Sequence, residues 1–136
     1  MIKVILFDAD GVLINGELFS EQLQREYNIS TKKTISFFEG PFQACLTGNA
    51  DLKEILAPYL KEWGWKKSVD DLLTYWFEAE HTIDEALVSY IQQLRLKGIK
   101  CYVATNQEKY RVAYMLKNMG FNDSFDKVYA SAHLGY

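Results

Sequence analysis

The stretch "KVILFDADGVLIN", residues 3 to 15, decides how the rest of the chain is interpreted. It belongs to a continuous apolar run over residues 2–7, which is rich in Ile and Val and typical of a strand buried on both faces of a parallel sheet. We therefore predict that this strand is central in its sheet. Asp8 and Asp10 follow the run directly, and charged groups beside a buried strand need a compensating interaction.

Length and composition describe one globular unit. The chain has 136 residues, of which 49% are hydrophobic and 24% charged, and its net charge is −3. It is long enough for one sizeable core. It has no basic patch for nucleic acid, and its opening run is too short for a membrane span and lacks the flanks of a signal peptide. We expect a cytoplasmic protein that binds neither nucleic acid nor membrane, with Cys45 and Cys101 as reduced core thiols.

The second half of the chain alternates strands and helices. Apolar residues recur every three or four positions from Ile83 until Gly98, and the apolar segment "IKCYVAT" follows as a second strand. The pattern repeats with a helix over residues 108–119 and a third strand, "FDKVYAS". This alternation predicts an α/β layer with a parallel sheet of about three strands.

The region between the first strand and this layer is predicted to be helical. Helices are expected over residues 17–28, 51–63 and 68–80, with Ser68 and Asp71 at the spacing of a capping box. Residues 29–50 are punctuated by Gly and Pro and predict only short helices and loops. The predicted organisation is a core from residues 1–14 and 82–136, interrupted by a helical insert over residues 15–81.

Two acids and two polar residues follow the first two strands. Ligands of open parallel sheets bind beyond the carboxyl ends of the strands, where Asp8 and Asp10 fall. Two carboxylates so close together repel unless one is protonated or a cation holds both, and Mg²⁺ prefers such oxygen ligands. The alternative is that "DADG" is simply a turn.

Thr105 and Asn106 end the second strand as the acids end the first. A hydroxyl and an amide at a helix N-terminus can bind phosphate oxygens, and the helix dipole favours an anion there. The alternative for Thr105 is a plain N-cap residue.

"FDADGVLIN", followed about ninety residues later by "YVATNQ", resembles the haloacid dehalogenase (HAD) superfamily of hydrolases. The resemblance implies a Rossmann-like core with a helical cap inserted after the first motif, Mg²⁺, and phosphoryl transfer through an aspartyl-phosphate. By position, Asp8 corresponds to the nucleophile and Asp10 to the general acid and base. Metal ligands would be an Asp8 oxygen and the Asp10 backbone carbonyl. Thr105 would bind the phosphoryl group, with Asn106 beside it.

Asp10 also bears on which HAD reaction is expected, because the second acid marks the family's phosphatases, which must protonate an alkoxide. The resemblance therefore favours hydrolysis of a small phosphorylated metabolite. Glu17, Gln43 and Lys53 of the insert are candidate substrate contacts.

The family pattern continues with a lysine after the third strand and later acids that complete the magnesium site. Residues 132–136 contain neither, so we expect a fragment or truncated form with a weak magnesium site and impaired activity. Lys109 and His133 are the nearest basic candidates, although both are expected at the surface. Without flanking strands, residues 2–7 would present an apolar edge and promote self-association.

Two other classes of function remain open. A receiver-type phosphoacceptor domain could use Asp51, Thr105 and Lys109, but "ACLTGNAD" before Asp51 does not predict the buried strand that such an acceptor needs. A noncatalytic binding fragment could use the aromatic residues of the insert as a surface, although aromatic residues at helical spacing more often form a core.

Overall fold

The structure, a computed structural model, describes residues 1–136. Three strands and nine helices follow one another along the chain. The elements are β1 (Val4–Phe7), α1 (Phe19–Tyr27), α2 (Thr31–Glu39), α3 (Phe42–Leu46), α4 (Leu52–Trp63), α5 (Val69–Ala79), α6 (Glu85–Leu96), β2 (Lys100–Thr105), α7 (Lys109–Lys117), α8 (Phe121–Ser124), β3 (Lys127–Ala130) and α9 (Ser131–Leu134). None of the helices has the length and apolar character needed to cross a membrane.

The strands form one parallel sheet in the order β1-β2-β3. Phe7 pairs with Val103 near the end of β1, and Thr105 pairs with Ala130 at the ends of β2 and β3. The carboxyl ends of the strands are therefore aligned at one edge of the sheet. The α/β fold with a parallel sheet predicted from the alternating pattern is confirmed, and so is the Rossmann-like core that the family resemblance implies.

The prediction that the first strand is central and buried on both faces is wrong. β1 is an edge strand, and Val4 and Leu6 remain 47% and 61% exposed. On the other face, Cys101 and Val103 are fully buried in one cluster with Ile91 of α6. The apolar run looks like a doubly buried strand, but β1 has one strand neighbour and helices cover only one face of the sheet.

We expect the exposed β1 edge to drive self-association. Its unpaired backbone groups and apolar side chains are a template for pairing with a second copy. Leu6→Lys should therefore shift sedimentation velocity profiles toward monomer, because a lysine on an edge strand opposes strand pairing. Leu96→Lys is the matched control, since Leu96 is 88% exposed and is the last residue of α6, not part of a strand. A wild-type protein that is monomeric at every concentration would contradict this expectation.

The helices between β1 and α6 have a hydrophobic cluster of their own. Its largest members are aromatic, and they include all three tryptophans: Phe19, Phe37, Trp63, Trp65, Trp76 and Phe77. We call residues 15–81 the cap and the remainder the core, following the predicted division, which stays a prediction. Tyr110 and Tyr114 of α7 pack against the cap cluster from the core side. Helix α7 therefore forms part of the core surface against which the cap packs.

Most helices of the cap follow the sequence prediction. The capping box of α5 is present, because Ser68 Oγ accepts from the Asp71 N–H and the Asp71 carboxylate accepts from the Ser68 N–H. Residues 29–50 are more regular than predicted, since α2 has nine residues and begins after Ser30, whose side chain accepts from the Lys32 N–H. Cys45 and Cys101 are buried and unpaired.

The two connections between core and cap run side by side. The Asn15 N–H donates to the Thr82 carbonyl, and the Asp84 N–H donates to the Leu13 carbonyl, each at 2.8 Å. Ile14 and Ile83 form an antiparallel bridge between these bonds. The chain thus leaves and re-enters the core at one paired point.

Candidate functional site

A tight turn after β1 presents the two acids. The Ala9 carbonyl accepts from the N–H groups of Leu13 and Ile14 at 2.8 and 2.9 Å, and Ala9 and Leu13 are fully buried. Gly11 adopts φ +80°, a conformation that glycine accepts at low cost. The buried side of this turn anchors it, while the side chains of Asp8 and Asp10 stay exposed.

Asp10 is held by a hydrogen-bond network that joins the ends of all three strands. Its Oδ2 accepts from Gln107 Nε2 at 2.6 Å, and Gln107 is only 8% exposed. The Gln107 backbone N–H donates to Ser131 Oγ at 3.1 Å, and this hydroxyl donates to Asn106 Oδ1 at 2.7 Å. Sequence reasoning missed Gln107 and Ser131, although Ser131 directly follows β3 and Gln107 lies two residues after β2.

Thr105 and Asn106 end β2 and follow it, as predicted, but they do not begin a helix. Helix α7 starts at Lys109, and its N-cap is Glu108, whose carboxylate accepts from the N–H groups of Tyr110 and Arg111. Because the Glu108 carboxylate already accepts from N–H groups at this helix N-terminus, these groups are not available to a phosphate, whereas phosphate binding by Thr105 and Asn106 stays a prediction. The alternative of Thr105 as an N-cap is wrong, because Glu108 is the N-cap of α7.

A cavity of about 250 Å³ lies between the cap and the core. Asp10 and Asn106 line it, whereas Asp8 and Thr105 are not part of its lining. Five further polar residues line the same space, and none was predicted: Ser20, Glu80, Gln107, Glu108 and Arg111. Of Asp8, Asp10, Thr105 and Asn106, the structure thus places two, Asp10 and Asn106, at a cavity that cap and core share. Asp8 precedes Asp10 by two residues along the turn.

Arg111 joins α7 to the cap. Only 3% of it is exposed, and its guanidinium donates to the backbone carbonyls of Phe77 at 3.2 Å and Glu80 at 3.0 Å. These carbonyls belong to the end of α5, where helical carbonyls lack partners within the helix. Burial lowers the pKa of Arg111, while the nearby carboxylates of Glu80 and Asp10 oppose that shift. A core side chain therefore caps the C-terminus of a cap helix.

Lys109 and Asp51 pair with each other. Lys109 Nζ lies 2.7 Å from Asp51 Oδ2, and the Tyr110 hydroxyl donates to the same oxygen at 2.7 Å. The Lys109 and Tyr110 hydrogen bonds hold the pKa of Asp51 well below its usual range. Asp51 is the N-cap of α4 and ends no strand, so the receiver-type interpretation lacks its acceptor. Lys109 is not part of the cavity lining, and His133 is exposed.

Comparison with known proteins identifies the family. The model of haloacid dehalogenase-like hydrolases matches residues 2–136. The chain belongs to the HAD-like hydrolases. A search of curated proteins finds no match.

Solved structures share the fold of this hydrolase at low sequence identity. The HAD family enzyme BT-2542 from Bacteroides thetaiotaomicron, in complex with magnesium and inorganic phosphate, has a TM-score of 0.75 and 22% identity, over 99% of this chain and 71% of that one. For an HAD-like family hydrolase from Porphyromonas gingivalis, the TM-score is 0.71 and the identity 24%, over 99% and 69% of the two chains. L-2-haloacid dehalogenase from Xanthobacter autotrophicus matches with a TM-score of 0.62 and 22% identity, over 99% and 59%.

The donors that this HAD-like hydrolase offers at the turn are all oxygen atoms. Mg²⁺ is commonly bound through one or two carboxylates, with water and substrate phosphate completing its shell, whereas zinc favours nitrogen and sulfur. An Asp8 carboxylate oxygen and the Asp10 backbone carbonyl fit that donor set, since Asp10 Oδ2 is already bonded to Gln107. No cluster of three or more His, Cys, Asp or Glu side chains is placed to hold a metal ion.

Glu80 gives the hydrolase a titratable group between cap and core. Its carboxylate accepts from the Phe19 N–H at 3.0 Å, and burial, reinforced by the charge of Asp10, raises the pKa of Glu80 above 4.5. A carboxyl with a raised pKa in the folded state stabilises the fold at low pH, and that contribution is lost as the pH rises through the raised pKa.

Glu80→Gln is therefore expected to flatten the pH dependence of stability above pH 4.5, because the amide oxygen can still accept from Phe19 and carries no charge. The free energy of unfolding should fall more steeply with rising pH in the wild type than in the variant. Urea unfolding measured from pH 4 to pH 8 tests this. Glu78→Gln, in an exposed neighbour, is the control. Parallel curves for wild type and Glu80→Gln would contradict the assignment.

Proposed function

We propose that this HAD-like hydrolase is a Mg²⁺-dependent phosphatase that hydrolyses a small phosphomonoester in the cytoplasm through an aspartyl-phosphate on Asp8. One observation carries the proposal. Asp10 lines the cavity between cap and core, while Asp8 is exposed two residues earlier on the same turn. A leaving group in the cavity would lie beside Asp10, which would protonate it. The phosphoryl group would lie beside Asp8, the proposed nucleophile.

The two acids have opposite tasks in this reaction. Asp8 attacks phosphorus as an ionised carboxylate, and Asp10 gives its proton to the departing alkoxide. Asp10 then takes a proton from the water that hydrolyses the aspartyl-phosphate. Bound Mg²⁺ would offset the charge repulsion between the carboxylate and the phosphoryl dianion. Gln107 fixes Asp10 at the cavity through the 2.6 Å hydrogen bond to Oδ2.

Side chains at the carboxyl end of β2 would hold the phosphoryl oxygens. Glu108 occupies the N–H groups at the start of α7, so the phosphoryl group must rely on Thr105 and Asn106 instead. Asn106 Oδ1 accepts from Ser131 Oγ, and this bond leaves the amide NH₂ of Asn106 free to donate to a phosphate oxygen.

BT-2542 supports the choice of ligands, because that enzyme was crystallised with magnesium and inorganic phosphate. In the present chain, Asp8 and Asp10 are the only carboxylates at the turn, and Gln107 occupies one oxygen of Asp10. We therefore expect weak Mg²⁺ binding and low turnover.

Phosphate release from a panel of phosphomonoesters tests the proposed function. Release should require added Mg²⁺ and should stop when EDTA is added, because the phosphoryl dianion and the Asp8 carboxylate repel each other without a cation. Undiminished release in EDTA, or no release from any ester at high Mg²⁺, would contradict the proposal.

A further inference from the structure

The cavity between cap and core has two chemically different walls. The core wall is polar and contains Asp10, Asn106 and Arg111. The cap wall is apolar: Leu18, Phe19, Phe38, Phe42, Leu46 and Trp76. Ser20 and Glu80 are the only polar residues that the cap adds. The polar wall adjoins the proposed site of phosphoryl transfer. The leaving group of a bound ester would therefore contact the apolar wall.

The aromatic rings of the cap wall form a continuous packed surface. Trp76 stacks on Phe19 at a centroid distance of 4.9 Å and contacts Phe38 and Phe42 at 5.4 and 5.5 Å. Phe38 and Phe42 are only half-buried, so part of each ring contacts solvent at the cavity. A ligand that displaces water from these rings gains hydrophobic free energy, and a ring can also pack edge-to-face against them.

The charges at the cavity disfavour a second anionic group on the ligand. Three carboxyl groups line the space, those of Asp10, Glu80 and Glu108, against the single guanidinium of Arg111. That guanidinium is already bonded to the carbonyls of Phe77 and Glu80. A carboxylate on the leaving group would face more like charge than opposite charge, so an uncharged leaving group fits better.

The size of the cavity limits the ligand further. Its volume of about 250 Å³ is below the range of about 300–1,000 Å³ that holds drug-sized ligands. We propose that the cavity selects phosphomonoesters of a small, uncharged aromatic alcohol, with the ring seated against Phe38, Phe42 and Trp76. The inference rests on the proposed function for placing the phosphoryl group beside Asp8.

Phosphonates test this preference without hydrolysis, because their carbon–phosphorus bond is not cleaved by phosphatase chemistry. In Mg²⁺ buffer, benzylphosphonate should bind about ten- to a hundredfold more tightly than methylphosphonate, as expected for burial of one ring. Phosphonoacetate, which adds a carboxylate, should bind no more tightly than methylphosphonate. Isothermal titration calorimetry gives the affinities.

Variants link the preference to the cap wall. Phe42→Ala should reduce the preference for benzylphosphonate by about fivefold or more and leave methylphosphonate affinity unchanged. Phe42→Leu, which keeps the packing more nearly intact, should retain an intermediate preference. Tyr90→Ala is the matched control, since Tyr90 is 55% exposed on α6 and is not part of the cavity lining.

Equal binding of the two phosphonates, binding of neither, or an unchanged preference in Phe42→Ala would overturn the inference. Phosphate release from esters is measured separately and distinguishes the two proposals. A benzyl preference without release from any ester supports the inference and overturns the proposed function. Release from esters together with equal phosphonate binding overturns the inference alone.

Discussion

Asp8→Asn is expected to reduce Mg²⁺-dependent phosphate release by about a thousandfold or more. The amide is isosteric with the carboxylate but is a poor nucleophile, so no aspartyl-phosphate can form, and removal of a nucleophile commonly costs at least this factor. Because Asp8 is exposed and its Oδ1 accepts only from the Ala9 N–H, an asparagine oxygen can replace that bond and the fold should be kept. Initial rates with a saturating ester measure the change.

Asp123→Asn is the matched control for Asp8→Asn. Asp123 is an exposed aspartate on α8 and lines neither the cavity nor the turn, so its replacement should leave the rate unchanged. A thermal midpoint for Asp8→Asn close to that of the wild type shows that the loss is chemical. Activity that survives Asp8→Asn removes Asp8 as the nucleophile.

Arg111→Met is expected to lower the free energy of unfolding by about 2 to 4 kcal/mol, because it leaves buried carbonyls without donors and buried carboxyls without a compensating charge. The carbonyls are those of Phe77 and Glu80 at the end of α5, and Glu80 and Glu108 are the nearby carboxyls. Methionine fills a similar volume, so the change reports mainly on charge and hydrogen bonding. Urea unfolding at pH 7 measures it.

Arg95→Met serves as the comparison for Arg111→Met. Arg95 also donates to a carbonyl, that of Asp123 at 2.7 Å, but it lies at the surface with a 3.3 Å ion pair to Asp126. Its removal should cost about 1 kcal/mol or less. Equal losses for the two variants would show that Arg111 contributes no more than a surface arginine to the attachment of the cap.

The secondary structure could be predicted well where local patterns and tertiary packing agree. The capping box of Ser68 and Asp71 fixed the start of α5, and a terminal glycine after α6 marked its end. β1 shows the limit of prediction from local sequence. An apolar run indicates which residues can be buried, but it does not indicate which strands or helices will cover them. The number of strands beside Val4 and Leu6 is a property of the whole sheet.

The candidate site was predictable only in the part that lies next to the strands in sequence. Asp10 and Asn106 meet at the cavity because parallel strands align their carboxyl ends. Glu108 was missed because acidic N-caps and exposed acids look alike in a sequence. Arg111 was missed because its partners are backbone carbonyls of α5, which carry no residue-specific pattern.

The paired connections at Leu13–Asn15 and Thr82–Asp84 have a consequence for how such a protein can diversify. An inserted segment whose two ends are adjacent can be lengthened, shortened or exchanged without shifting the strands of its host. Selection for a different substrate can therefore change the sequence of residues 15–81 while Asp8 and Asp10 keep their positions. Grafting a different insert between these two points offers an engineering route to a new leaving-group preference.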